Sequence, residues 1–246
     1  MIGVFDSGLG GLTVVKEIRK SLPDADIIYL GDTARVPYGT RSSETIRKFA
    51  EEDTKFLLDK NVELIVVACN TVSSLALDVV KKFSNVSVLG VINPATKKAL
   101  KVSKLKKIGL VGTRATVNSN AYKEVTMRRQ ASMLVPLIEE GFIEGPEIDL
   151  FIKKYFSDFK DRVDALILGC THYPLIKDNI NNYLGGKIKL IDPAEEVVKE
   201  VYEIAKDFKG TSKTRYFLTD VNKRFLETAK MFLGEDILDK VAKVEI

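Results

Sequence analysis

The sequence predicts an α/β fold of two similar lobes, each a parallel-rich sheet flanked by helices, related by an internal pseudo-two-fold repeat. Three observations carry this expectation. Short apolar runs rich in branched residues alternate with segments of helical periodicity, the pattern of parallel strands covered on both faces. Most of the runs end in small or polar residues, where strand gives way to loop. The runs of the first half also recur in the second. Ile2-Gly3-Val4-Phe5-Asp6-Ser7 answers to Ile108-Gly109-Leu110-Val111-Gly112-Thr113, and Val88 to Ala95 answers to Ile188 to Ala194. The period is far longer than that of a solenoid, so duplication of one lobe is the simpler reading.

Taken in order, Ile2 to Ser7 is a strand, followed by Gly8-Leu9-Gly10-Gly11 and a helix over Leu12 to Leu22 with Leu12, Val15 and Ile18 on one face. Ile27 to Asp32 is a second strand. Ser42 opens a helix that reaches Asp59, because Ser42-Ser43-Glu44-Thr45 has the polar residues that satisfy free amides at a helix start. Glu63 to Ala68 is a third strand, closed by Cys69. The basic stretch Lys97 to Lys107 is a solvated helix and its exit. Asp164 to Gly169 is the matching strand in the second half, closed by Cys170. The tail has no counterpart in the repeat and offers a strand, Arg215 to Thr219, and an amphipathic helix, Val221 to Leu233. These placements divide the chain into a first lobe of residues 1–96 plus 207–246 and a second of 97–206.

The 246 residues suit one large domain or two of about 120 each. Hydrophobic residues at 45% supply cores, and the net charge of +4 is spread along the chain. No aromatic residues interleave with the basic ones, which argues against nucleic-acid binding. No apolar run approaches the roughly 20 residues that cross a bilayer, and the chain opens directly as a strand without a signal peptide. Two cysteines in a chain of this length fit a reducing cytoplasm and not a disulfide scaffold. A soluble cytoplasmic protein without a membrane partner is expected.

Those two cysteines are the most informative residues. Each stands at the carboxyl end of an equivalent strand, the edge where open α/β sheets bind ligands. Each is followed by polar residues, Asn70-Thr71 and Thr171-His172. A buried cysteine is by itself a small hydrophobe, and it is the paired placement that points to a site. A disulfide between them would make a thiol redox protein, but there is no C-x-x-C. The single histidine, His172, is either structural or a proton carrier beside Cys170. One histidine and two distant cysteines fall short of a zinc framework, so no metal is expected. The glycine turn after Asp6 lacks the G-x-G-x-x-G spacing of a dinucleotide site. It is either a tight turn or a close approach to an anion, and a carboxylate at the strand end favours a functional reading.

The motifs Asp6-Ser7-Gly8-Leu9-Gly10-Gly11, Pro37-Tyr38-Gly39, Cys69-Asn70-Thr71, Val111 to Thr116, Val135 to Gly141 and Cys170-Thr171-His172-Tyr173-Pro174-Leu175 resemble, in order, those of the bacterial glutamate racemase family. The resemblance runs from Ile2 to about Ala194. It implies a cofactor-independent racemase that interconverts L- and D-glutamate for peptidoglycan synthesis. It further implies that Cys69 and Cys170 are two catalytic bases, the first deprotonating D-glutamate and the second L-glutamate. Asp6 and His172 are the implied assistants of Cys69 and Cys170, and Glu139 a further acid on the second side. Ser7, Asn70, Thr71, Thr113, Thr116 and Thr171 match substrate-holding positions, and Pro37, Tyr38 and Gly39 match a segment that closes the cleft.

Many relatives carry Ala-Cys-Pro just before the Val-Pro-Leu motif, where this chain has Ala131-Ser132-Met133. The chain also starts at the first strand, so activity without a peptidoglycan-precursor activator is expected. A homodimer is expected by analogy alone. Aspartate or hydantoin racemases, a binding role such as gyrase inhibition, and thiol oxidoreduction are the rival readings.

Overall fold

A computed structural model describes residues 1–246. Ten strands follow in chain order: β1 (Ile2–Asp6), β2 (Ile27–Gly31), β3 (Leu64–Val67), β4 (Ser87–Gly90), β5 (Ile108–Gly112), β6 (Met127–Gln130), β7 (Ala165–Gly169), β8 (Lys189–Ile191), β9 (Thr214–Leu218) and β10 (Val241–Lys243). They form two sheets, a six-stranded one ordered β10-β9-β2-β1-β3-β4 and a four-stranded one ordered β6-β5-β7-β8. Every pairing is parallel. Without β9 and β10, the first sheet reads β2-β1-β3-β4, the order of the second. The repeat read in the sequence is therefore realised as topology.

This order places the site. After β1 the chain moves to one side, to β2, and later returns to the other side, to β3. The loops after β1 and β3 therefore diverge and leave a crevice at the carboxyl edge, and β5 and β7 do the same in the second sheet. Asp6 ends β1 and Cys69 lies two residues past β3; Thr113 follows β5 and Cys170 follows β7. The central strands β1, β3, β5 and β7 are buried along their whole length. This explains their continuous Ile, Leu and Val content rather than an alternating pattern.

The connections after β4 and β8 tie the lobes together. Helix Ile92–Val102 leaves the first sheet and packs on β7 and β8 of the second. Helix Pro193–Ala205 leaves the second sheet and packs on helix Leu12–Ser21 and on β4. Its start is set by Asp192, whose Oδ1 accepts from Ala194 N at 2.8 Å, and by Pro193, which needs no hydrogen bond there. Val197, Val198 and Val201 are buried in one continuous core with Leu12, Val15 and Ile18. Each such side chain contributes on the order of 1.5–3 kcal/mol by leaving water, so the lobes are joined by apolar packing and not by a linker.

The tail completes the first sheet. The strand expected at Arg215–Thr219 is β9, and β10, too short to show a pattern in the sequence, pairs beyond it. The expected helix begins at Lys223 rather than Val221, because Asn222 Oδ1 accepts from Phe225 N at 2.9 Å and caps it there. The stretch Val88 to Ala95 holds the end of β4 and then a helix start, since Pro94 fits a first helical turn but not an inner strand. No helix is long and apolar enough to cross a membrane.

Candidate active site

A cavity of about 450 Å³ opens where the carboxyl edges of the two sheets face each other. Both cysteines line it. Cys69 stands just before helix Asn70–Leu75 and is almost fully buried; its Sγ donates to Ser7 Oγ at 3.5 Å. Directly behind stands Asp6, fully buried. Its Oδ2 accepts from Gly8 N at 3.1 Å and its Oδ1 has no partner. Burial, and after it like-charge repulsion from the Asp6 carboxylate, together push the Cys69 thiol up to about 12. Burial also raises the Asp6 carboxyl, against the opposing pull of His172 and of the Gly11 and Gly8 amides.

The second cysteine is set differently. Cys170 Sγ lies 3.8 Å from His172 Nδ1, and the other ring nitrogen, Nε2, lies 2.9 Å from Glu139 Oε1. Phe232 packs edge-on against the imidazole. Burial alone would lower the histidine, but hydrogen bonds and charge from Cys170 and Glu139 prevail and lift it to about 10. The imidazole is thus held between the Cys170 sulfur on one side and the Glu139 carboxylate on the other. The site is lopsided: a thiol backed by a carboxyl on the first lobe, a sulfur beside an imidazole on the second.

Polar groups from both lobes complete the wall. Thr71 Oγ1 and Thr113 Oγ1 stand 3.1 Å apart across the cleft. Thr113 also caps helix Arg114–Asn118 by accepting from Thr116 N at 3.3 Å. Asn70 and Thr171 lie on the same wall as their neighbouring cysteines. The segment Pro37-Tyr38-Gly39 lines the opening, and Gly39 is required there: a Cβ would fall 2.9 Å from Thr113 Cβ. The Tyr38 ring is buried, and its hydroxyl turns away from the cavity to Asp32 and Asp53. That segment accordingly offers backbone, not a phenol, to a ligand.

Two of the residues expected at the site stand one layer behind the cavity wall. Asp6 is beneath Cys69. Thr116 is buried, and its hydroxyl is taken by Thr113 at 3.1 Å and Thr71 at 3.5 Å, so it holds other threonines and not the cavity. Arg114, Ser132 and Met133 line the cavity without having been singled out from the sequence. Ser132 Oγ accepts from Arg114 N at 3.1 Å. The available signals were the place of Arg114 inside the Val111 to Thr116 motif and of Ser132 and Met133 just before Val135 to Gly141. No three His, Cys, Asp or Glu side chains gather as a metal-binding group.

Comparison with known proteins places the chain in a family. Residues 11–201 match the family model described as Asp/Glu/Hydantoin racemase. A glutamate racemase of Aquifex aeolicus is 46% identical over 98% of this chain and 96% of its own length. The crystal structure of the Francisella tularensis glutamate racemase in complex with D-glutamate superposes with a TM-score of 0.91 at 40% identity, covering 99% of this chain and 97% of that one. A Bacillus anthracis glutamate racemase superposes with a TM-score of 0.93 at 34% identity, covering 100% and 97%.

Proposed function

The chain belongs to the Asp/Glu/Hydantoin racemase family and is an isomerase; from that premise we propose that it interconverts L- and D-glutamate by a two-base mechanism carried by Cys69 and Cys170. The observation that carries this reading is that the only two cysteines close equivalent strands of two repeated sheets and wall one cavity.

In the L-to-D direction, the Cys170 thiolate takes the α-proton. The electron pair left on the α-carbon is delocalised into the α-carboxylate. The Cys69 thiol then gives its proton to the other face and becomes the thiolate. The D-to-L direction runs the same steps in reverse. No electrons are gained or lost, and the two sulfurs exchange protonation states. A Cys69 thiol raised to about 12 is a reluctant acid at rest, and its thiolate, once formed, is a correspondingly strong base. His172, steadied by Glu139, stands beside the Cys170 sulfur and assists its proton transfer. Asp6 acts on Cys69 from behind the cavity wall.

Ser7, Asn70, Thr71, Thr113 and Thr171 supply hydroxyl and amide donors suited to two carboxylates. The Pro37–Gly39 backbone closes the cleft and keeps water out, which strengthens each of these bonds. D-Glutamate made in this way would supply peptidoglycan synthesis. Incubation with L-glutamate in deuterium oxide, without added cofactor, tests the reading. Loss of optical activity with deuterium at the α-carbon supports it. Exchange of aspartate but not glutamate would keep the chemistry and replace the substrate.

A further inference from the structure

We propose that Tyr122 is a positioning residue for substrate binding: its hydroxyl holds the Asn70 side-chain amide so that the Nδ2 donors are left for a carboxylate of the substrate. This rests on the glutamate reading above for the identity of the ligand, and on geometry for the rest.

Tyr122 lies between helix Arg114–Asn118 and β6, in the second lobe, and its ring is buried with Ile92, Val117 and Val125. Its backbone oxygen accepts from Arg128 NH2 at 2.8 Å, which fixes the segment. The hydroxyl has one partner, Asn70 Oδ1, at 2.7 Å. Asn70 belongs to the first lobe, directly after Cys69, and is 3% exposed on the cavity wall. Its Nδ2 has no partner in the protein.

A tyrosine hydroxyl must place its hydrogen on an acceptor, and here only Oδ1 serves. With the amide turned over, that hydrogen would be stranded beside two further donors. The orientation with Oδ1 toward Tyr122 is therefore the stable one, and it leaves two N–H groups unanswered. Buried donors without partners are rare in folded proteins because nothing replaces the water they have lost. On a cavity wall beside a reacting thiol, the fitting partner is an anionic acceptor, and both substrate carboxylates are of that kind. The tyrosine and the asparagine come from different lobes, so the donor is oriented only when the lobes meet.

Glutarate, a dicarboxylate with no amine and no stereocentre, isolates carboxylate recognition from turnover. Titration calorimetry with glutarate should show Tyr122→Phe weakening binding by about three- to tenfold, the worth of one hydrogen bond. In an Asn70→Ala background the same change should have less than about a twofold effect, because the amide it positions is gone. Asn70→Asp keeps the Tyr122 contact but replaces the free donor with an acceptor, and should weaken glutarate by more than about tenfold. It also keeps the proposal testable should Tyr122→Phe fail to fold.

Equal losses in both backgrounds, no loss in either Tyr122→Phe or Asn70→Asp, or no glutarate binding by the unaltered protein would each overturn the proposal. Glutamate turnover by the unaltered protein, measured in parallel, decides the functional reading separately.

Discussion

Gly10 is seated directly under Thr171 and His172: a Cβ at Gly10 would collide with Thr171 Oγ1 and stand 2.6 Å from His172 Nδ1. The glycine turn of the first lobe is thus the floor on which the Cys170 loop of the second lobe rests. Its glycine content reflects this close approach rather than a need for unusual backbone angles, since Gly10 does not have a positive φ.

Gly10→Ala should therefore act on catalysis at a distance from the substrate. Displacing the Cys170–His172 loop by a fraction of an ångström should lower kcat/KM about 10- to 100-fold, the usual penalty for misplacing a reacting group. Because the two enantiomers have equal free energy in water, kcat/KM must fall equally in both directions. Polarimetry from each enantiomer checks both statements. An unchanged rate would show that the loop yields without moving the sulfur.

Cys69 should resist alkylation. With its thiol pushed up to about 12, the thiolate fraction at pH 8 is on the order of 10⁻⁴. Modification by iodoacetamide, followed by peptide mass spectrometry, should accelerate about tenfold per pH unit between pH 8 and 10. Rapid modification of Cys69 at pH 7 in the folded protein would contradict the electrostatic assignment.

His172 should make stability depend on pH in a defined direction. The imidazole is raised from 6.5 to about 10 in the fold by Cys170 and Glu139, with the Asp6 charge also facing it from β1. A raised group binds its proton more tightly when folded. Its stabilisation is therefore complete below pH 6.5 and is lost as pH climbs through about 10. The difference in melting temperature between the unaltered protein and His172→Asn should be largest near pH 6 and shrink toward pH 10. A difference that grows with pH would reverse the sign and refute the assignment.

Asp32 and Asp53 should differ sharply although both are fully buried. Asp32 accepts from Arg35, the Tyr38 hydroxyl and, at 2.9 Å, Thr219 Oγ1. Asp32→Ala leaves Arg35 and Tyr38 short of their partner and should cost about 3–5 kcal/mol in urea unfolding. The Asp53 carboxyl is driven well up by burial and by Asp32, against Arg35, so a neutral amide there gives up little. Asp53→Asn should cost less than about 1 kcal/mol. Since Tyr38 belongs to a segment that lines the cavity, Asp32→Ala should also raise KM for glutamate.

Much of the architecture was legible because it is written in local terms. Branched apolar runs as short as Leu64–Val67 and Ala165–Gly169, each closed by a polar loop, read as buried strands, and their repetition announces two like lobes. The cap at Ser42 was equally readable, and Ser42 Oγ accepts from Thr45 N at 3.2 Å. Strand β10 was not readable, because three residues carry no period. Nor was the exchange of helices Ile92–Val102 and Pro193–Ala205 between lobes, since an amphipathic face does not say which sheet it will cover.

By itself the sequence determined the two sheets, the strand ends and the chemical types that stand there: two thiols, one imidazole and a set of hydroxyls, each tied to its strand by a few bonds of chain. Only the tertiary structure decided which of these act together. Glu139 reaches His172 across 33 positions of sequence, Tyr122 reaches Asn70 across 52, and Thr116 turns to Thr71 and Thr113 instead of the cavity. The Glu139 pairing depends on how distant segments of one lobe pack, and the contacts of Tyr122 with Asn70 and of Thr116 with Thr71 on how the two lobes fit together. No local pattern in the chain encodes that fit.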